Sequence, residues 1–173
     1  MIRYIGIDPG SKGCVAVLSD NGKVFFHDLD SDIDTYRHYQ FILEDSYMPT
    51  YVSVEDVHGM PGQSCVANTT FMKLAGYAEL MGWSLSSAGF MKVAPQTWKK
   101  HFGLISKGLT KTQRKNLSIE LAKKLYPNVA DQLTASKDGR AEALLIARYY
   151  KDVQENARAN EEIKSDCREI SKD

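Results

Sequence analysis

The first residues place one carboxylate at the end of an apolar segment and turn the chain directly after it. The run from Ile2 to Ile7 is apolar on both faces of a strand, which is typical of a central strand in a sheet. Asp8 follows it, Pro9-Gly10 and Gly13 predict a tight turn, and the run from Cys14 returns as a second strand. Loops at the ends of such strands often carry functional residues, so Asp8 is the first candidate for chemistry. A plain Asx turn is the alternative reading of this residue.

Size and composition indicate one globular domain. The chain has 173 residues, of which 43% are hydrophobic, enough for a real core. It contains neither a run of 18 apolar residues nor a charged-then-apolar leader, which predicts a soluble cytoplasmic protein with no membrane partner. The three cysteines are odd in number and lack metal-ligand spacing, as expected for free thiols in a reducing compartment.

The formal net charge is zero, but the charges are distributed unevenly along the chain. Residues 1 to 60 hold ten acidic and four basic side chains (net −6), whereas residues 89 to 128 hold nine basic and one acidic (net +8). The second block is a candidate surface for binding phosphate groups. A lysine-rich helix that is merely solvated is the alternative.

Apolar periodicity and turn residues predict the order β, β, β, α, β, α, β, α, α for the main elements, apart from a short second strand at 90 to 93 and a short helix from Pro95. Asn21-Gly22 predicts a type I′ hairpin turn, and Thr110 with Gln113 predicts a capping box at the start of a helix whose buried stripe is Leu117, Leu121 and Leu125. The other predicted elements are strands at about 2 to 8, 13 to 19, 23 to 29, 51 to 55, 83 to 87 and 90 to 93, helices at 32 to 45 and 66 to 81, a short helix from Pro95 that ends at Gly103, and a last helix at 138 to 150. Gly82 is expected to end the second helix.

Two further elements end or begin with carboxylates. Glu55 ends a β-branched strand, which repeats the pattern of Asp8. Asp138 and Glu142 lie four residues apart, so both point from one face of the last helix. Residues 1–150 therefore read as the folded domain, and 151–173 as a charged helix or tail.

Three parts of the sequence together resemble the RuvC family of Holliday-junction resolvases. They are Gly6-Ile7-Asp8-Pro9-Gly10, the strand-ending Glu55 and the segment from Asp138 to Ala147. The segment from Val54 to Gln63 resembles phage-encoded members, for which the location would be the host cytoplasm. The resemblance spans residues 2 to 150. It implies an α/β ribonuclease H-like fold, with a mixed five-stranded sheet and helices on both faces, and a homodimer acting on four-way junctions and branched DNA in recombination and repair. The family's helix usually carries two aspartates three positions apart, whereas this chain has Asp138 and Glu142.

The resemblance implies a magnesium-dependent endonuclease. Two Mg²⁺ ions per site, for which Mn²⁺ can substitute, activate water and stabilise charge on a phosphodiester, and hard ions prefer carboxylate ligands. Asp8 would bridge the two ions, Glu55 would hold one, and Asp138 and Glu142 would complete the other. Cleavage would leave 5′-phosphate and 3′-hydroxyl ends. Which of Asp138 and Glu142 is the main ligand stays open.

DNA contact is expected from the basic block and from the segment after Glu55. Candidates for gripping the DNA backbone are Lys107, Lys111, Arg114 and Lys115. Candidates near the junction centre are Met60, Gln63 and Phe71, of which Phe71 also fits a place in the core.

Three alternatives remain at this point. The chain resembles other nucleases of the same fold, acting on branched DNA or structured RNA. The unusual acid spacing also permits a module that binds junctions without cutting them. A phosphotransferase of the actin-like fold is disfavoured, because the chain is short for two lobes and lacks a second phosphate loop.

Overall fold

The computed structural model describes residues 1–10, 12–29, 33–44, 47–59, 62 and 64–170, with the side chains of 41, 42, 44 and 164–170 left aside. The strands are β1 (Arg3–Asp8), β2 (Cys14–Ser19), β3 (Val24–Asp28), β4 (Thr50–Glu55) and β5 (Gly89–Val93). The helices are α1 (Ile33–Glu44), α2 (Cys65–Leu85), α3 (Pro95–His101), α4 (Lys111–Leu125) and α5 (Asp138–Ile170), with 3₁₀ turns at Pro127–Gln132 and Ala135–Lys137.

The five strands form one mixed sheet in the order β3-β2-β1-β4-β5. The first three strands form an antiparallel meander, while β4 runs parallel to both β1 and β5. β1 is the central strand, as its apolar sequence predicts. This arrangement confirms the predicted α/β fold class with a mixed five-stranded sheet.

Helices cover both faces of the sheet. One core cluster joins the sheet to α3, α4 and α5 through side chains such as Trp98, Ile119 and Leu144. The other joins it to α1 and α2 through side chains such as Tyr36, Leu74 and Met81. Because alternate residues of β1 point into opposite clusters, both faces of this strand are buried.

The contact between α5 and β1 is so close that only glycine fits at position 6. A Cβ on Gly6 would lie 2.0 Å from the carbonyl oxygen of Ala143 and 2.4 Å from the amide nitrogen of Ala147. Ser53, on β4, adds a hydrogen bond from its hydroxyl to the carbonyl oxygen of Ile146, at 3.0 Å. These contacts fix the first turns of α5 against the strands that end in Asp8 and Glu55.

The predicted hairpin between β2 and β3 is present, but its turn is of another type. Gly22 has φ of 82°, whereas no non-glycine residue in the described ranges, Asn21 included, has positive φ. The amide of Gly22 donates to the carbonyl oxygen of Ser19, and the amide of Ser19 donates to the carbonyl oxygen of Lys23. This is the three-residue loop with glycine in the left-handed position, not a type I′ turn.

The predicted helix stop at Gly82 and the predicted strand at 83 to 87 are wrong. α2 continues to Leu85, and Gly82 lies inside it. A Cβ on Gly82 would lie 2.7 Å from Val54 Cγ2 and 2.9 Å from Phe90 Cε2. The glycine therefore serves close packing of α2 on the sheet rather than helix termination.

The capping box of α4 is confirmed, but its buried face is different from the predicted one. The Thr110 hydroxyl accepts from the Gln113 amide, and the Gln113 side chain accepts from the Thr110 amide. Leu117 is 38% exposed, whereas Ser118, Ile119 and Ala122 are buried. The predicted stripe is therefore wrong at Leu117, while Leu121 and Leu125 pack against the core at its margin.

The last helix is longer than predicted, because α5 continues from Tyr150 to Ile170. Residues 155 to 163 of this extension are exposed. Across the described residues, none of the helices has the length and apolar character needed to span a membrane.

Candidate active site

Asp8 and Glu55 lie side by side at one edge of the sheet. β1 and β4 are parallel neighbours, and Ile7 pairs with Val54, so the next residue of each strand is a carboxylate at the same edge. Glu55 is only 7% exposed. The two strand-ending acids predicted from the sequence are therefore brought together by the sheet register.

The first turns of α5 bring Asp138 and Glu142 to the same edge. A Cβ on Gly139 would lie 3.1 Å from Asp8 Oδ2 and 2.3 Å from the carbonyl oxygen of Lys12. The absence of a side chain at Gly139 thus lets the helix start directly against Asp8 and its following loop. Asp138 is buried, and the Glu142 side chain is 16% exposed.

The pKa shifts show that the acids act on one another. Burial raises the pKa of Asp8 well above its ordinary value, and repulsion from Glu55, Glu142 and Asp138 adds to the effect. Burial also raises the pKa of Glu55, with further repulsion from Glu142. Glu142 therefore faces both strand-ending acids, so the four carboxylates form one electrostatic cluster.

Two lysines neutralise the carboxylates contributed by α5. The ammonium of Lys99 lies 3.2 Å from Glu142 Oε1, and Lys115 makes an ion pair with Asp138 Oδ2. The hydrogen bond that Lys115 donates to Asp138 raises the pKa of Lys115, which keeps this lysine charged. The attraction of Lys99 also offsets part of the upward pKa shift at Asp8 and Glu55.

A buried tryptophan completes the surroundings of Glu55. The indole Nε1–H of Trp98 donates to Glu55 Oε1 at 2.9 Å, and Trp98 itself is fully buried. This hydrogen bond lowers the pKa of Glu55 and so opposes part of the effect of burial. Trp98 and Lys99 are consecutive residues of α3, so this short helix contacts an acid on β4 and another on α5.

The donor chemistry of the cluster fits a hard divalent cation, since carboxylate oxygens are the ligands that Mg²⁺ prefers. The four acids repel one another, and the pKa of Asp8 is strongly raised. A nearby positive charge would therefore stabilise their ionised forms. In the side-chain arrangement of the described residues, no three His, Cys, Asp or Glu groups are placed so as to enclose a metal ion. The lysine ammonium groups supply the positive charge in this arrangement.

The structure places the predicted DNA-binding residues in different surroundings. Lys107, Lys111 and Arg114 are exposed, before or at the start of α4, whereas Lys115 lies within the acidic cluster. Phe71 is only partly buried, and its ring comes within 4.0 Å of the Cβ position of Gly10. It therefore lies beside the loop that follows Asp8. Met60 and Gln63 lie outside the described residues.

Sequence reasoning misses Trp98 and Lys99 as members of the site, because it places both only in a short basic helix. One available signal is the tryptophan itself, since a buried indole N–H requires a hydrogen-bond acceptor. In this fold the acceptor is 43 residues earlier in the chain, a separation that helical or strand periodicity does not reveal.

Comparisons with known proteins find similarity among solved structures. No protein-family model and no curated protein matches the chain. Among solved structures, the chain is similar to the crystal structure of the yeast mitochondrial Holliday junction resolvase Ydc2, with 16% sequence identity and a TM-score of 0.45. The match covers 84% of this chain and 76% of that chain.

Proposed function

We propose that this protein is a metal-dependent endonuclease that resolves four-way DNA junctions, of the RuvC type found in phages. The observation that carries the proposal is the electrostatic cluster of Asp8, Glu55, Asp138 and Glu142, which joins the three segments that resemble the family. The acids come from two adjacent strand ends and one helix start, all held at one edge of the sheet.

In this proposal the carboxylates hold two Mg²⁺ ions, which would supply an activated water and stabilise the charge that develops on the phosphate. Asp8 would be a ligand of both ions, Glu55 would hold one, and Asp138 and Glu142 would hold the other. Glu142 raises the pKa of both Asp8 and Glu55, and Asp138 raises that of Asp8, so both helix acids act on Asp8. Lys99 and Lys115 would have to move away from their carboxylates as the ions bind.

The exposed cations at the start of α4 support DNA as the substrate. Lys107, Lys111 and Arg114 precede Lys115 along the chain, so a basic surface leads to the acidic cluster. Such a surface would hold the phosphate backbone without reading the base sequence. Products would be 5′-phosphate and 3′-hydroxyl ends.

Resolution of a junction needs two cuts, and we propose a homodimer to supply them. α2 carries exposed apolar side chains that offer a surface for a second copy: Val66, Met72 and Leu80. Because large exposed apolar patches often mark interfaces, this helix is the expected contact. Sedimentation of the purified protein with and without Leu80→Glu measures the dimer directly.

Cleavage of a synthetic four-way junction in Mg²⁺ or EDTA tests the proposal. We expect paired symmetric nicks that are lost in EDTA, in Asp8→Asn and in Glu142→Gln. Glu120→Gln is the matched control, because Glu120 is an exposed acid of α4 and should be dispensable. Duplex DNA and an RNA hairpin serve as control substrates, and preferential cutting of the hairpin would instead indicate an RNA-processing nuclease.

One observation favours a second candidate function. Because Lys99 and Lys115 already neutralise Glu142 and Asp138, the two carboxylates contributed by α5 are balanced without metal. A module that binds junctions without cutting them would have this property. Tight junction binding with no nicks in Mg²⁺ or Mn²⁺ would support that candidate over the nuclease.

A further inference from the structure

The contact between Trp98 and Glu55 joins two groups that are each costly to bury alone. Trp98 is fully buried, Glu55 is 7% exposed, and their hydrogen bond spans 2.9 Å. A buried carboxylate needs donors, and a buried indole N–H needs an acceptor. Each of these side chains therefore satisfies a requirement of the other, which fixes the orientation of both.

The backbone around this pair is held as firmly as the side chains. Glu55 pairs with Val93 in the β4–β5 ladder, and the amide of Asp56 donates to the carbonyl oxygen of Val93 at 2.9 Å. α3 begins two residues later, at Pro95, so a short, bonded path connects the two residues. At the far end of α3, His101 Nε2 lies 2.8 Å from Asp152 Oδ2 of α5. α3 is thus tied to the sheet at one end and to α5 at the other.

We infer that Trp98 is a positioning residue for Glu55. It holds Oε1 through the indole N–H and so fixes the orientation of the carboxylate that would hold a metal ion. The inference rests on the proposed function, because it assigns Glu55 to metal binding. It goes further in making the metal affinity of the site depend on a residue that touches neither metal nor DNA. Partners that orient ligands in this way commonly change metal affinity or activity by about 10- to 100-fold when they are removed.

The test combines a substitution with a spectroscopic readout. Trp98→Phe keeps an aromatic ring but removes the N–H donor. We expect the Mg²⁺ concentration for half-maximal cleavage to rise about tenfold or more, while junction binding measured in EDTA stays within about twofold of the unchanged protein. Trp83→Phe is the matched control, since Trp83 is 60% exposed and should leave the Mg²⁺ requirement unaltered.

A second measurement does not depend on activity or on whether Trp98→Phe folds. Trp83 and Trp98 are the two tryptophans of the chain, so the Trp83→Phe protein reports the fluorescence of Trp98 alone. Addition of Mg²⁺ should change this emission, because the ion withdraws negative charge from the carboxylate that accepts the indole hydrogen bond. The same titration of Trp83→Phe combined with Asp8→Asn should give a much smaller change.

The outcomes separate this inference from the proposed function. An emission that Mg²⁺ leaves unchanged, or a folded Trp98→Phe with an unchanged Mg²⁺ requirement, overturns the positioning role even if the protein resolves junctions. An emission that responds to Mg²⁺ in a protein that cuts no junction supports the coupling of Trp98 to the metal site and counts against the resolvase.

Discussion

The ammonium of Lys99 and the carboxylate of Glu142 lie 3.2 Å apart and connect α3 to α5. Their charges also act on Asp8 and Glu55, so the pair lies within the acidic cluster rather than at its margin. A partly shielded ion pair of this kind contributes about 1 kcal/mol or less to stability. Its larger effect is on the charge balance of the site.

Removal of this lysine should increase the response of the protein to metal. In Lys99→Met the carboxylates lose a neutralising charge, so we expect a lower Tm in EDTA, by a few degrees, and a larger rise in Tm on addition of Mg²⁺. Thermal melts in EDTA and in Mg²⁺ measure both effects. Lys100→Met, an exposed neighbour on the same helix, is the control. Equal Mg²⁺ responses in the two variants would contradict the prediction.

Gly6→Ala should be strongly destabilising, because its Cβ would lie 2.0 Å from a backbone oxygen of α5. We expect a loss of about 3 kcal/mol in the free energy of unfolding, since backbone atoms cannot move aside as a flexible side chain can. Gly22→Ala separates this overlap from backbone strain. Gly22 has positive φ but nothing within 4 Å of its Cβ position, so its cost should stay at about 1 to 2 kcal/mol. Denaturant unfolding compares the two variants, and an equal cost would argue against the close contact.

Asp28 predicts a defined dependence of stability on pH. Hydrogen bonds from Arg140 and Lys137 lower the pKa of Asp28 from its ordinary value of 3.8 to about 2. Because the pKa is lower in the folded protein, the ion pairs contribute their full stability above pH 3.8, and the contribution is lost as pH falls toward 2.

The comparison of Asp28→Asn with the unchanged protein measures this contribution. We expect the variant to be less stable at neutral pH and the difference to shrink between about pH 4 and pH 2. Asp131→Asn is the control, because Asp131 is an exposed acid in the 3₁₀ turn Pro127–Gln132, outside the ion pairs that Asp28 makes with Arg140 and Lys137. A stability difference for Asp28→Asn that persists at about pH 2 would show that the carboxylate acts by packing rather than by charge.

If the basic surface of Lys107, Lys111 and Arg114 binds DNA, its charges should determine how strongly junction binding depends on salt concentration. Lys111→Ala removes one exposed cation at the start of α4, so we expect weaker binding to every junction sequence and a salt slope reduced by about one. Lys23→Ala is the matched control, because Lys23 lies at the end of the sheet away from Asp8. Binding isotherms at several salt concentrations give the slopes, and equal slopes for both variants would place the DNA elsewhere.

The features that could be predicted from the sequence are those whose causes are local. The capping box at Thr110 and Gln113 and the hairpin at Gly22 depend on a few neighbouring residues, and both formed. The strand-end positions of Asp8 and Glu55 are also local and were predicted, whereas their proximity depends on the parallel pairing of β1 with β4. The prediction for Gly82 is wrong because its role is set by Val54 and Phe90, which pack against it from the sheet. The lysine and tryptophan contacts of the site likewise depend on residues distant in the chain.

The close fit of α5 on β1 also sets the order in which the site can form during synthesis. Asp8 leaves the ribosome before the rest of the sheet, whereas Asp138 and Glu142 emerge after the whole sheet has been made. The acidic cluster joins residues about 130 positions apart, and contacts of such separation form late. A nascent chain therefore carries half of the cluster until α5 docks, so any cutting ability would appear only when the domain is complete.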